Sequence, residues 1–105
     1  MPRMDVTTAT FETEVLAASN TVPVVVDFWA PWCRPCKAVE SILEGLPVDV
    51  ARVNIDEEPA LASRYDVLSI PTVILFAGGE ARGTVVGARP RAHFDAWLAE
   101  VLPAG

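Results

Sequence analysis

Apolar positions recur along this chain with two periods, and switches between them mark out its elements. Phe11, Val15 and Leu16 fall at helical spacing, with Glu12 and Glu14 near the start. This predicts a helix over Thr7 to Ser19, capped by Thr8 or Thr10 and broken by Asn20-Thr21. Val22 to Trp29 is almost wholly apolar, as in a strand buried on both faces, and Asp27 is its exception. Val39, Ile42, Leu43 and Leu46 then fall at i, i+3, i+4 and i+7, which predicts an amphipathic helix from Cys33 to about Leu46, with Gly45 and Pro47 marking its end. Val50, Arg52 and Asn54 alternate with Ala51, Val53 and Ile55, the pattern of a strand over Val48 to Ile55.

Pro59 opens a short helix through about Tyr65, and Asp56, Glu57 and Glu58 sit at its positive end as a solvated helix start. Thr72 to Phe76 and Gly83 to Val86 form a hairpin through Gly78-Gly79. Arg91 to Leu102 places Phe94, Trp97, Leu98 and Val101 on one helical face, and Pro103 stops it. Strand, helix and strand, followed by helix, hairpin and helix, imply an α/β fold with a mixed sheet covered by helices on both faces.

A length of 105 residues with 51 % apolar content suits one domain, residues 1–105, with a real core. The net charge of -6 argues against nucleic acid or an anionic membrane as partner. Met1-Pro2-Arg3-Met4-Asp5 is not followed by the apolar core of a secretory signal, and no run reaches the ~20 apolar residues of a membrane span. A cytoplasmic location is expected.

Cys33 and Cys36 are the only cysteines, and they stand where a strand hands over to a helix. Two are too few for a disulfide scaffold, and this spacing in an intracellular α/β chain points to redox chemistry. A thiolate at a helix N-terminus is stabilised by the unpaired N–H groups there, so Cys33 is the expected nucleophile. Cys36, one turn in, should be the more buried. Pro35 is tolerated in the first turn because its missing N–H would have had no partner. Half of a zinc site is the first alternative, but His93 is the only other soft ligand and a structural zinc takes four, so no metal is expected. A pair of inert buried thiols is the second, against which stand Trp29, Trp32 and two prolines crowded around the pair. Asp27 is costly to bury as an anion, so its pKa should be raised unless it reaches solvent at the strand end. Lys37 and His93 read as surface residues.

The stretches V-V-V-D-F, W-A-P-W-C-R-P-C-K, V-N-I-D, S-I-P-T-V-I-L-F and V-G-A, in this order and spacing, resemble the thioredoxin family over nearly the whole chain. The resemblance implies a thioredoxin fold, a mixed sheet of about five strands flanked on both faces by about four helices. It implies a protein-disulfide reductase in which Cys33 attacks, Cys36 resolves and Asp27 relays the proton of Cys36. A cis peptide before Pro71 is implied, and Trp32, Arg34, Pro35, Ile70, Pro71, Val86 and Gly87 would line a groove for an extended peptide. Val86-Gly87 reads equally well as a plain strand end. Trp29 and Arg52 would support the site. Arg52 stands where the family usually has Lys, and contact with Asp27 would draw the carboxyl pKa back down.

No cofactor is expected in the domain. Electrons would come from a flavin-containing, NADPH-dependent thioredoxin reductase, the substrates would be disulfide-containing proteins, and the protein would be a monomer. A disulfide oxidase or isomerase outside the cytoplasm is the alternative within the class, and a non-catalytic binding module the alternative outside it. Arg34 replaces the usual Gly, too small a change in thiolate stability to turn a reductase into an oxidase. Ser41 replaces a helix-kinking Pro, and the segment after it is several residues short, so the active-site helix is expected to be straighter and to end about a turn early.

Overall fold

Two helical layers enclose a five-stranded sheet in the computed structural model, which describes residues 3–102. Met1, Pro2 and Pro103, the expected stop of the last helix, lie outside the described residues. The strands are β1 (Arg3–Asp5), β2 (Val24–Trp29), β3 (Asp49–Asn54), β4 (Thr72–Ala77) and β5 (Glu80–Val86). Their order is β1-β3-β2-β4-β5, with β1 and β2 parallel to β3, β4 antiparallel to β2, and β5 antiparallel to β4. The helices are α1 (Arg34–Glu44), α2 (Pro59–Arg64) and α3 (Arg91–Val101), preceded by an irregular helical segment near the N-terminus. No helix among the described residues is long and apolar enough to cross a membrane.

Strand alternation assigns each layer its partner. Val25, Val50, Val73 and Leu75 pack against Val39 and Leu43 of α1 and Phe94, Trp97 and Leu98 of α3. The intervening residues Val24, Val26, Phe28, Val53, Ile74 and Phe76 pack on the other side against Phe11, Val15 and Leu61. Each such Val, Leu or Phe contributes about 1.5–3 kcal/mol on full burial, so β2 and β4 are fixed from both faces.

Four local features depart from the sequence reading. β1 has no counterpart in it. The expected regular helix over Thr7 to Ser19 is instead a π-helix over Glu12–Ala17 and a 3₁₀ turn over Ala18–Asn20. Neither Thr8 nor Thr10 caps the helical segment, whose N-cap, Phe11, has no side-chain cap, and Thr10 instead pairs with Thr7 ahead of it. The Thr7 N–H donates to Thr10 Oγ1 at 2.9 Å, and the Thr10 N–H donates back to Thr7 Oγ1 at 3.3 Å. Finally, β5 begins three residues earlier than Gly83, because Gly78 and Gly79 take φ of 63° and 78° and close the turn at once. α3 then lies so close over β5 that a Cβ on Gly83 would stand 2.8 Å from Val101 Cγ1 and 2.9 Å from Trp97 Nε1.

Candidate active site

β2 delivers the chain to the top of the sheet, and Ala30, Pro31 and Trp32 turn it into α1. Cys33 ends that turn as the N-cap, in extended backbone (φ -87°, ψ 100°), and its N–H donates to the Ala30 carbonyl at 3.0 Å. Its Sγ accepts the Cys36 N–H at 3.2 Å. Sulfur thus takes the place of the hydroxyl or carboxylate oxygen that usually caps a helix. Pro35 falls in the first turn, where it removes no hydrogen bond. Cys33 and Cys36 are disulfide-bonded, with Cα atoms 5.4 Å apart.

The two cysteines are 4 % and 3 % exposed, so Cys36 is the more buried of the pair by a margin that does not separate them in the disulfide form. Both are pressed against Ala30, Trp29, Ile55 and Ile70. Their positions on the helix, cap against first turn, are what distinguish them. α1 ends at Glu44 with Gly45 as C-cap.

The Ile70–Pro71 peptide is cis, with Pro71 buried and Ile70 half-buried on the cysteine cluster. The Gly87 N–H donates to the Pro71 carbonyl at 2.9 Å, and Val86 pairs with Thr72 across the β4–β5 ladder. Val86 is exposed, and Gly87 has a φ of 96°. Trp32 is 68 % exposed, yet its indole N–H donates to the Asp56 carboxylate at 3.0 and 3.3 Å. Asp56 is therefore more than part of a solvated helix start. Glu58 has a task too, since its Oε1 accepts the Thr8 N–H at 2.8 Å and the Thr8 hydroxyl at 3.0 Å. Arg34 and Lys37 are exposed on the first turn of α1 and His93 on α3.

Beneath α1, Asp27 is 1 % exposed. Its Cα neighbours are Arg52 on β3 and Val73 on β4, and alternation puts its side chain on the α1 side of the sheet. The Arg52 guanidinium lies 4.1 Å over the Trp29 ring and pairs with Glu40 at 3.0 Å and Asp5 at 3.3 Å. A cavity of about 350 Å³ opens beside the cysteines, walled by Trp29, Cys33, Cys36, Lys37, Glu40 and Arg52 among others. Glu40, Ile55 and Asp56 are the residues of this site that sequence reasoning did not single out as such. Only Glu40 had a signal, its place one turn after Cys36. No three His, Cys, Asp or Glu side chains among the described residues converge as metal ligands.

The thioredoxin family model matches residues 3–100. Thioredoxin 1 of Synechococcus elongatus is 48 % identical over 92 residues, covering 82 % of this chain and 84 % of that protein. The thioredoxin of Streptomyces clavuligerus is 44 % identical over 93 residues, covering 84 % of this chain and 85 % of its own. A bifunctional thioredoxin reductase/thioredoxin of Mycobacterium leprae is 41 % identical over an alignment of 106 residues, gaps included, that covers 95 % of this chain and 23 % of that protein. A disulfide across two intervening residues at a helix N-cap agrees with these relatives, and the chain belongs to the thioredoxin family of thiol–disulfide oxidoreductases.

Proposed function

We propose that this single-domain chain reduces disulfides in other proteins, working as a cytoplasmic monomer. The observation that carries this reading is the N-cap position of Cys33, whose Sγ already accepts a backbone N–H. Partial positive charge at that helix end favours a thiolate over a thiol. In the reduced protein the Cys33 thiolate attacks one sulfur of a substrate disulfide. That S–S bond breaks, its other sulfur leaves as a thiolate, and a mixed disulfide forms. Cys36 then loses its proton to Asp27 and attacks Cys33, which restores the Cys33–Cys36 disulfide and releases the second substrate sulfur. Burial of Asp27 supports its part, because an interior carboxylate takes up a proton more readily than an exposed one. This chain's part in the exchange is two sulfurs and a proton carrier.

Trp32, Arg34, Pro35, Ile70, Pro71, Val86 and Gly87 form the surface on which an extended substrate peptide would lie, with Trp29 and Arg52 supporting it from below. A NADPH-dependent flavin thioredoxin reductase returns the electrons. The fused reductase in the Mycobacterium leprae relative's name supports that partner.

The test is a trapping experiment with the potential measured alongside. Cys36→Ser should accumulate a mixed disulfide with a model substrate protein, and Cys33→Ser should form none. The parent couple, equilibrated against glutathione, should settle within a few tens of mV of about -270 mV. A potential above about -200 mV would instead indicate an oxidase or isomerase. Partner binding that survives Cys33→Ser, in a parent without reductase activity, would indicate a binding module.

A further inference from the structure

Cys33, Cys36 and Glu40 occupy the N-cap of α1 and the third and seventh positions after it, so they share one helical face. That face borders the cavity of about 350 Å³, and Arg52 reaches the same cavity from β3. Glu40 Oε2 accepts from Arg52 Nη2 at 3.0 Å, with side chains 27 % and 13 % exposed. Arg52 is held from its other side by Asp5 at 3.3 Å and from above by the Trp29 ring. Its cation therefore has a fixed place in the cavity wall.

We propose that the Glu40–Arg52 ion pair sets the stability of the active-site thiolate by keeping that wall electrically balanced. Lys37 and Glu40 line the cavity with the cysteines from α1, Arg52 comes from β3, and Asp27 lies beneath on β2. Asp5 on β1 backs Arg52 from the far side, and Asp56 lies beyond Trp32. Neutralising Glu40 leaves Arg52 countered by Asp5 from the far side alone and, with Lys37, makes the wall more positive, which stabilises a thiolate and so favours the reduced couple. Neutralising Arg52 makes the wall more negative and does the reverse. Glu40 and Arg52 are positioning residues, because they act on the sulfurs only through the local field. The proposal rests on the thiol–disulfide chemistry above.

Alkylation of the reduced protein by iodoacetamide as a function of pH reads the thiolate directly. One pH unit below the parent midpoint, Glu40→Gln should react about threefold to tenfold faster and Arg52→Met slower by a similar factor. The double variant should return to within about twofold of the parent. Above the midpoint, equilibration of Glu40→Gln with glutathione should favour the dithiol by a like factor. Shifts of both single variants in one direction, or no shift beyond twofold, would overturn the proposal, since loss of packing alone has no sign. If Arg52→Met does not fold, Glu40→Asp decides the matter. It keeps the charge and should stay near the parent rate, and a change as large as that of Glu40→Gln would overturn the proposal. A parent with no titrating nucleophilic thiol would overturn the thiol–disulfide reading as well.

Discussion

Asp27 and Arg52 stand opposite one another in register on neighbouring parallel strands, both on the sheet face that α1 covers. The pairing gives the sequence expectation about them a physical form. The Arg52 charge is shared between Glu40 and Asp5, and burial of Asp27 works against the charged form of its carboxyl group. A buried carboxyl with a raised pKa binds its proton in the folded state at pH values where the unfolded chain has released it. Stability then falls as pH rises from the unfolded to the folded pKa, and the cost is complete above the folded one. Asp27→Asn should therefore raise stability at pH 8 and leave it unchanged near pH 3. Denaturant melts at the two values check this. The same variant should resolve mixed disulfides more slowly, because Cys36 loses its proton acceptor. A gain in stability that did not shrink with acidification would rule out the titration of Asp27 as its cause.

Gly83 is required by space. A Cβ there meets Val101 and Trp97 at 2.8 and 2.9 Å, so Gly83→Ala should push α3 off β5 and cost about 1–3 kcal/mol. At about 4–8 °C per kcal/mol, calorimetry would register a clear drop in Tm. The thiol reactivity of the folded fraction should not change.

The exposed Trp32 ring is held by Asp56, and Asp56→Ala should release it. A lost charge-assisted hydrogen bond of ~1.5 kcal/mol corresponds to roughly tenfold faster solvent exchange of the Trp32 indole proton, readable by NMR. Global stability should move by less than about 1 kcal/mol, since the ring is largely in solvent. An unchanged exchange rate would mean that Asp56 does not restrain the ring.

Asp66 is the one non-glycine residue among the described residues with a positive φ, 55°, just after α2. Asp tolerates this region and a β-branched residue does not. Asp66→Val should lose about 1–2 kcal/mol, while Asp66→Gly should stay within about 0.5 kcal/mol of the parent. Urea titration would separate the two.

The parts of this fold and site that could be read from sequence are those built from neighbours in the chain. The Cys33–Cys36 spacing, the apolar run into it, the amphipathic faces of α1 and α3, and the Gly78-Gly79 turn all involve residues within a few positions of each other. β1 could not be read, because three residues with Met4 exposed show no period, and its partner strand, β3, is more than forty positions away. The acids after β3 looked like a solvated helix start because their partners, Trp32 and Thr8, lie 24 and 50 residues away. Glu40 looked like an ordinary polar position on α1 until β3 brought Arg52 beside it. The π-helix over Glu12–Ala17 keeps the apolar positions of an α-helix, so periodicity alone did not distinguish the two.

The sulfur that caps α1 has one consequence for how such a protein lasts through repeated use. Cys33 Sγ holds the Cys36 N–H, and a sulfur atom remains at that cap whether it is bonded to Cys36, to a substrate or to nothing. The disulfide joins residues only three apart, so cutting it frees little chain. The start of α1 and the core beneath it can therefore stay in place while electrons come and go, and wear from cycling falls on one replaceable covalent bond rather than on the fold.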